Sequence, residues 1–312
     1  MFPRIEYYEP KDLLEACTLK AELNGKVVAG GTDVYVDLHA GKAFPHVIDI
    51  KKLPELQDHR ETEEAIILGA LKTHRSIEES VFFQKYYSCL FEGCSQVGSV
   101  QIRVRGTLGG NICNAVPSAD SIGPLLALGT DAVITNGRED RVIPLKDFFT
   151  GPKKTVLAPD EILKELVIPK APERSGSCYL KYTRRRAMDL ALCGYCLFLT
   201  LDEEDTIVNV RAAMTTAAPT PIRGENAEAY LLGKRVSEVD TEVLGQMAVK
   251  DGRPRSSWRS SAEFRFTLFA ELAGRCFRTA VERAHGQFDN FDGKCGLPIR
   301  WGWFNAPEGE EV

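Results

Sequence analysis

The chain has 312 residues, 44% of them hydrophobic and 27% charged, with a formal net charge of -5. This length allows two domains with cores of their own, and the negative balance excludes nucleic-acid binding driven by overall electrostatics. No apolar run reaches the roughly 20 residues of a membrane span, and the first ten residues lack the apolar centre of a signal peptide, so we expect a cytoplasmic protein without membrane contact.

The first 55 residues predict a small α/β lobe. Its elements are expected in this order: a helix at 10–23, a strand at 26–31, a helix at 32–41 and a strand at 46–50. The second helix is expected to begin with Thr32 or Asp33 as its cap and to stop at Gly41. This order of strand, turn, helix and strand is typical of an α/β lobe.

A second lobe is predicted from about 56 to 175. Its elements are a strand at 65–71, helices at 76–83 and 84–97, and strand-like runs at 131–136, 141–149 and 161–169. The segment 169–177 is polar and contains two prolines and a glycine, which indicates a boundary between domains.

The last third predicts a different domain, over 176–286. Antiparallel strands are expected at 178–185, 190–202 and 206–216, followed by a long helix from Ala262 to His285. The helix carries apolar residues at spacings of three and four, which indicates a core-facing stripe. Its members are Phe266, Phe269, Ala273, Phe277, Ala280 and Ala284.

Nine dispersed cysteines predict free thiols in a reducing compartment rather than a disulfide framework. Cys193 and Cys196 form a CxxC inside a run that is typical of a strand, where positions three apart face opposite sides. Metal-binding CxxC pairs usually need a second pair, and the chain has none. We interpret the two as buried thiols, with a redox or cluster role as the alternative, and predict no metal site.

Two glycine-rich turns carry the functional signal: AGGTD at 29–33 and TLGGN at 107–111. Glycine lets a diphosphate approach the backbone, and a turn that opens a helix offers unpaired N–H groups. Neither turn matches GxGxxG or GxxxxGK[ST], and a single Gly-Gly commonly marks only a turn. The hypothesis is that both turns supply N–H donors to one large phosphorylated cofactor. Asp33 would repel a phosphate, but it could accept hydrogen bonds from the turn or from cofactor hydroxyls.

Together, VVAGGTDV, GTLGGNICNAVPSAD and KYTRRRAMDLA resemble the FAD-binding subunits of molybdenum hydroxylases, most nearly the separate FAD subunit of bacterial xanthine dehydrogenases. The resemblance covers about residues 1–285 with its motifs in order. It implies an α+β fold with a two-lobed vanillyl-alcohol-oxidase-like (PCMH-type) FAD-binding domain. A C-terminal domain would follow, consisting of a three-stranded antiparallel sheet with helices.

The resemblance also implies which residues bind FAD. The first turn would cradle the diphosphate, the second would contact it from the other lobe, Leu163 would lie at the adenine end and Lys181 beside the flavin. Val97 stands where the family often has an aromatic residue. The implied FAD-binding residues are Val27, Val28, Ala29, Gly30, Gly31, Thr32, Asp33, Val34, Val97, Thr107, Leu108, Gly109, Gly110, Asn111, Asp120, Leu163 and Lys181.

From the residues alone, some of these positions have other interpretations. Asp120 could cap a helix, because it precedes an apolar run. Lys181 and the arginines at 184–186 could form a solvated face or an interface. Asp189 could be a structural partner of one of those arginines.

The resemblance implies the FAD subunit of a xanthine dehydrogenase-like oxidoreductase in purine catabolism. Its partners would be an iron–sulfur subunit and a molybdopterin subunit in a hetero-oligomer, and electrons would pass from the iron–sulfur clusters through FAD to NAD+. No side chain need act as a nucleophile or base, and Lys181 would stabilise charge on the reduced flavin. Two alternatives remain open: a free-standing flavin oxidoreductase with its own small substrate, and a scaffold that has lost FAD.

Two segments depart from the family pattern. The branch that reduces 4-hydroxybenzoyl-CoA has an inserted loop with four cysteines and a [4Fe–4S] cluster after the second glycine turn, whereas this chain has only Cys113 there, so no cluster is expected. The tail at 287–312 is aromatic and acidic. It could be a disordered end or a docking segment for a partner chain.

Overall fold

The computed structural model describes residues 4–185 and 187–287, so the predictions for the tail lie almost wholly outside the described residues. The first lobe is a three-stranded parallel sheet in the order β1-β3-β2 with two helices. Its elements are β1 (Glu6–Tyr8), α1 (Leu13–Leu23), β2 (Lys26–Val28), α2 (Thr32–His39) and β3 (His46–Asp49).

The second lobe is built on a five-stranded antiparallel sheet in the order β4-β5-β10-β6-β7. Its elements are β4 (His59–Glu61), β5 (Ala65–Gly69), α3 (His74–Glu78), α4 (Val81–Tyr86), α5 (Ser88–Ser95), α6 (Val100–Arg105), α7 (Leu108–Asn114), α8 (Ile122–Ala127), β6 (Asp131–Thr135), β7 (Asp140–Pro144), β8 (Phe149–Gly151), β9 (Lys154–Thr155) and β10 (Ile162–Pro169).

The helices before the second turn are shorter than predicted. The two helices expected at 76–83 and 84–97 are three, α3, α4 and α5. Thr73 and Ser80 cap the first two through their hydroxyls, and Tyr87 separates the second from the third with a non-helical φ of -134° and ψ of 48°. Polar side chains that bond to nearby backbone amides compete with helix continuation, and the two capped starts are examples.

The C-terminal domain is an antiparallel sheet in the order β11-β12-β13-β14 covered by helices. The three long strands confirm the predicted sheet, and a two-residue fourth strand extends it. The elements are β11 (Ser175–Tyr182), β12 (Cys193–Leu201), β13 (Ile207–Thr215), β14 (Ile222–Arg223), α9 (Glu225–Leu231), α10 (Thr241–Asp251) and α11 (Ala262–Ala284).

The C-terminal sheet is covered on both faces, and its central strand β12 is buried along its whole length. One face packs on α11, whose Phe269, Ala273 and Phe277 are buried as the stripe predicted. The other face joins the core of the second lobe through Cys196, Phe198 and Ala213. The two domains therefore share a continuous apolar core, which fixes the C-terminal sheet relative to the second glycine turn.

Glu92 and Arg283 link the domains within that core. The Arg283 guanidinium lies 2.6 Å from a carboxylate oxygen of Glu92, and the other oxygen accepts a 2.7 Å bond from the backbone N–H of Tyr179. Both side chains are less than a tenth exposed.

None of the helices within 4–185 and 187–287 is long and apolar enough to cross a bilayer.

Candidate functional site

A cleft of about 560 Å³ lies where the first lobe, the second lobe and a loop of the C-terminal domain meet. This volume falls in the range of cofactor sites. Both glycine turns contribute to its walls, as the sequence predicted. The predicted residues that line it are Val27, Ala29, Gly30, Gly31, Thr32, Asp33, Val34, Val97, Thr107, Gly109, Gly110, Asn111, Asp120 and Leu163.

The first turn presents free backbone donors. Across the described ranges, no hydrogen-bond partner is found for the N–H groups of residues 30–34. Helix α2 begins at Thr32, and the first N–H groups of a helix have no partner within it. A run of such groups with the positive end of a helix dipole favours an anion.

Glycine is required at both positions of the first pair. Gly31 has a φ of 75°, in the left-handed region, and it caps α2 in place of the predicted Thr32 or Asp33. A Cβ on Gly30 would overlap the carbonyl oxygen of Arg105, just before the second turn. The first turn therefore packs directly on the chain that leads into the second, and this contact brings the two together.

The second turn has no free backbone donors to match. Each N–H from 108 to 111 is already bonded: Leu108 to the Lys72 carbonyl at 2.8 Å, Gly109 to the Ala70 carbonyl at 2.9 Å, Gly110 to Thr107 Oγ1 at 3.0 Å and Asn111 to the Thr107 carbonyl at 3.0 Å. The expectation that both turns donate backbone N–H groups is therefore wrong for the second. Helix α7 caps itself through Thr107, and its preceding loop pairs with the segment after β5.

The two glycines of the second turn have different roles. A Cβ on Gly109 would lie 2.6 Å from the Cβ of Ala70, so this glycine permits close packing. A Cβ on Gly110 would meet only the hydroxyl of Thr107, at 2.9 Å. Gly110 lines the cleft and is exposed, so its missing side chain leaves space for a ligand.

Asp120 belongs to a buried polar network. One carboxylate oxygen accepts a 2.9 Å bond from the Tyr179 hydroxyl, and the other lies 2.7 Å from Lys181 Nζ. Lys181 also donates to the Gln96 carbonyl at 3.0 Å. Burial raises the pKa of Asp120, while Lys181 and Tyr179 act in the opposite direction. The carboxylate is thus held by β11 rather than by a helix end.

Three predicted residues do not line the cleft. Leu108 is fully buried in the core of the second lobe, and Val28 is in β2. Lys181 lies behind Asp120, and its side chain is 4% exposed. Its charge is therefore compensated by Asp120, and a direct contact with the cofactor stays a prediction.

The structure adds wall residues that the sequence did not predict for the cofactor site. His74 begins α3 and is almost fully buried; desolvation, with a smaller effect of Arg103, lowers its pKa to about 4. Met188, Asp189 and Leu190 reach the cleft from the C-terminal domain. No periodicity marks residues 188–190, because they lie in the loop between β11 and β12.

Asp189 stabilises this loop through bonds to two arginines, which confirms the interpretation that it is a structural partner of one of them. Its carboxylate accepts 3.0 Å bonds from the backbone N–H groups of Arg184 and Arg185 and pairs with the Arg185 side chain at 3.2 Å. These bonds hold the pKa of Asp189 below its usual range, against the opposing effect of desolvation.

In the first turn, desolvation raises the pKa of Asp33, and the positive charge of Lys153 opposes this.

The CxxC pair lies on opposite faces of the C-terminal sheet. Cys193 packs in the core around α11, and Cys196 packs in the core shared with the second lobe. Burial raises the pKa of both thiols, to about 12 for Cys193. These two side chains therefore cannot converge on one metal ion, and the described residues contain no group of ligands that could hold one.

Comparison with known proteins identifies this architecture. Residues 3–171 match the FAD binding domain in molybdopterin dehydrogenase, and residues 178–280 match the CO dehydrogenase flavoprotein C-terminal domain. The xanthine dehydrogenase FAD-binding subunit of Escherichia coli O157:H7 is 35% identical over 291 residues, covering 92% of this chain and 99% of that protein. The carbon monoxide dehydrogenase medium chain of Hydrogenophaga pseudoflava is 30% identical, covering 90% and 98%.

A solved carbon monoxide dehydrogenase from Hydrogenophaga pseudoflava has the same fold. It superimposes with a TM-score of 0.86 at 29% identity, covering 91% of this chain and 99% of that one. These matches confirm the predicted α+β fold and the predicted cofactor, FAD. The chain belongs to the family of FAD-binding subunits of molybdenum hydroxylases, which includes those of xanthine and carbon monoxide dehydrogenases.

Proposed function

We propose that this chain is the electron-relay subunit of a cytoplasmic xanthine dehydrogenase-like complex in purine catabolism. It would take electrons from an iron–sulfur subunit, whose own source is a molybdopterin subunit, and deliver them to NAD+. The proposal rests on the near-complete coverage of a relative named as a xanthine dehydrogenase FAD-binding subunit. We also propose that the FAD-binding domain covers 1–175 and the C-terminal domain 176–286.

The single structural observation that supports this function is the run of free N–H groups at residues 30–34, in the wall of the same cleft as Gly110. A dinucleotide such as FAD carries a diphosphate, which needs donors at close range and a backbone without side chains in the way. The cleft offers donors on one side and space on the other. The residues present therefore fit FAD.

Each part of the cleft has a distinct task in this proposal. The first turn binds the diphosphate, and Thr107 and Asn111 remain as side-chain partners in the second lobe. Asn111 Oδ1 accepts a 2.7 Å bond from Ser121, which leaves the amide nitrogen of Asn111 to donate. Asp120 offers a fixed carboxylate as an acceptor for hydroxyl or ring N–H groups.

The C-terminal loop would cover the cofactor and limit the access of water. Met188 and Leu190 are more than half exposed in this structure and lie in the cleft wall, so a bound ligand would cover part of their apolar surface. FAD supplies the one- and two-electron redox chemistry when bound, and the protein supplies its orientation and surroundings.

The decisive experiment is anaerobic reduction of the assembled complex with xanthine, followed by NAD+. We expect the flavin absorbance to bleach and then to recover with formation of NADH. Bleaching by xanthine without recovery would exclude NAD+ as the acceptor, and no bleaching would exclude xanthine as the substrate. Purification of the chain without iron–sulfur or molybdopterin partners, but active on a small substrate, would instead support a free-standing oxidoreductase.

A further inference from the structure

A cluster of arginines lies at the start of α11, outside the FAD cleft. Arg265 is 6% exposed, donates to the Leu192 carbonyl through Nη1, and donates to Ser257 Oγ at 3.2 Å through Nη2. Its Nε is buried without a hydrogen-bond partner, and so is the Nε of Arg259. Two neighbouring guanidinium groups thus each have a buried N–H group without a hydrogen-bond acceptor.

The charge of this cluster is also uncompensated. Within 4–185 and 187–287, no carboxylate lies within 4.0 Å of Arg255, Arg259 or Arg265. Burial lowers the pKa of Arg265, and the like charges of Arg259 and Arg255 lower it further. Buried charges in proteins are normally paired, because desolvation without a partner is costly. The cluster therefore favours an anion.

An exposed aromatic ring stands beside the arginines. Trp258 is 84% exposed, and the Arg259 guanidinium lies 5.7 Å from the centre of its ring. A large apolar ring open to water is a common contact for a planar aromatic group. Guanidinium groups are the usual partners of phosphate because their planar N–H groups match its oxygens. A ring next to a phosphate-binding cluster matches the two halves of a nucleotide.

Arg265 binds a stretch of main chain that adjoins the flavin cleft. The carbonyl that accepts from Arg265 belongs to Leu192, and Leu190 lines the cleft. Two residues of extended chain span at most about 7 Å. The main chain that Arg265 binds therefore lies within about 7 Å of a residue of the cleft wall, and a dinucleotide held at the arginines could extend in that direction.

We propose that Trp258, Arg255 and Arg259 bind the adenosine phosphate half of the dinucleotide acceptor. The base would stack on the indole, and the outer N–H groups of Arg255 and Arg259 would hold the phosphate. Arg265, which is buried, adds positive charge. This inference rests on the proposed function in so far as NAD+ is the acceptor.

Calorimetry with ADP tests the site directly. The full chain is loaded with FAD first, so that its own cleft, which also takes an adenine dinucleotide, is filled. We expect the dissociation constant of ADP to rise at least tenfold in Arg259→Gln and in Trp258→Ala. Arg138→Gln, an exposed arginine of the second lobe, is the matched control and should leave binding unchanged.

Several results would overturn the inference. They are the absence of ADP binding, equal ADP binding in all variants, and inorganic phosphate binding as tightly as ADP without any effect of Trp258→Ala. Variants that bind ADP as tightly as wild type but no longer associate with a partner chain would also overturn it, because the surface would then be a docking site for protein.

The assembled complex separates this inference from the proposed function. The inference alone would be refuted if NAD+ reoxidised the xanthine-reduced flavin equally well in wild type and in Arg259→Gln over the same range of NAD+ concentrations. Normal ADP binding together with flavin that NAD+ cannot reoxidise would refute the proposed acceptor alone.

Discussion

Replacing Lys181 with methionine isolates the role of the buried network around Asp120. The two side chains are 4% and 7% exposed and lie 2.7 Å apart. Removing the cation would leave Asp120 buried with only the Tyr179 hydroxyl as a partner. Breaking a buried ion pair on one side typically costs about 3–5 kcal/mol, because the remaining charge is uncompensated.

The expected effect is therefore on the stability of the protein without FAD. We expect Lys181→Met to lower the free energy of unfolding of the FAD-free chain by about 3 kcal/mol or more. The double variant Asp120→Asn with Lys181→Met should recover most of this loss, because it contains no buried charge at the site. Urea unfolding followed by circular dichroism measures both, with Lys146→Met on the exposed surface as the control.

A Lys181 side chain that acts mainly on the flavin would give a different result. In that case the FAD-free Lys181→Met chain would be as stable as wild type, and only the affinity for FAD would fall. The double variant would then show no recovery of stability.

Two further changes test the turns, and one tests a buried histidine. Gly110→Val should abolish FAD retention while the C-terminal domain stays folded, because its side chain enters the cleft; a full complement of flavin in the purified variant would show that the turn is misplaced. Gly30→Ala should instead lower the free energy of unfolding of the FAD-free chain by about 1–3 kcal/mol, because the added methyl group overpacks against Arg105. The melting temperature should fall with it, and an unchanged melting temperature would contradict the proposed packing. The pKa of His74 is lowered from 6.5 to about 4 in the folded chain, so between these pH values the unfolded chain binds more protons than the folded chain. We therefore expect the full contribution of His74 to the free energy of unfolding above pH 6.5, and a loss of about 3 kcal/mol as the pH drops towards 4. Unfolding free energies measured against pH should show a flatter slope in His74→Gln, and identical slopes would refute this assignment.

The order of the main strands and the two turns were predictable because their signals are local. Glycine pairs and apolar runs depend on neighbouring residues, and they placed the strands around Ala65–Gly69 and Cys193–Leu201 correctly. The family resemblance supplied the fold and the cofactor, which local patterns alone did not decide.

The distribution of donors between the turns was not predictable. It depends on the loop at residues 70–72, which is nearly 40 residues away in the chain and occupies the N–H groups of Leu108 and Gly109. The burial of Lys181 behind Asp120 depends on how the two domains pack, and a sequence of polar residues such as KYTRRR favours a solvated face instead. The same holds for Met188 to Leu190, which reach the cleft only through the tertiary fold.

The most direct test of the account is a crystal structure of the chain with FAD bound. We predict that the diphosphate oxygens lie about 3 Å from backbone nitrogens of residues 30–34, with the N–H groups of residues 108–111 still bonded within the protein. A diphosphate bound away from the first turn, or held by the backbone N–H groups of the second, would contradict it.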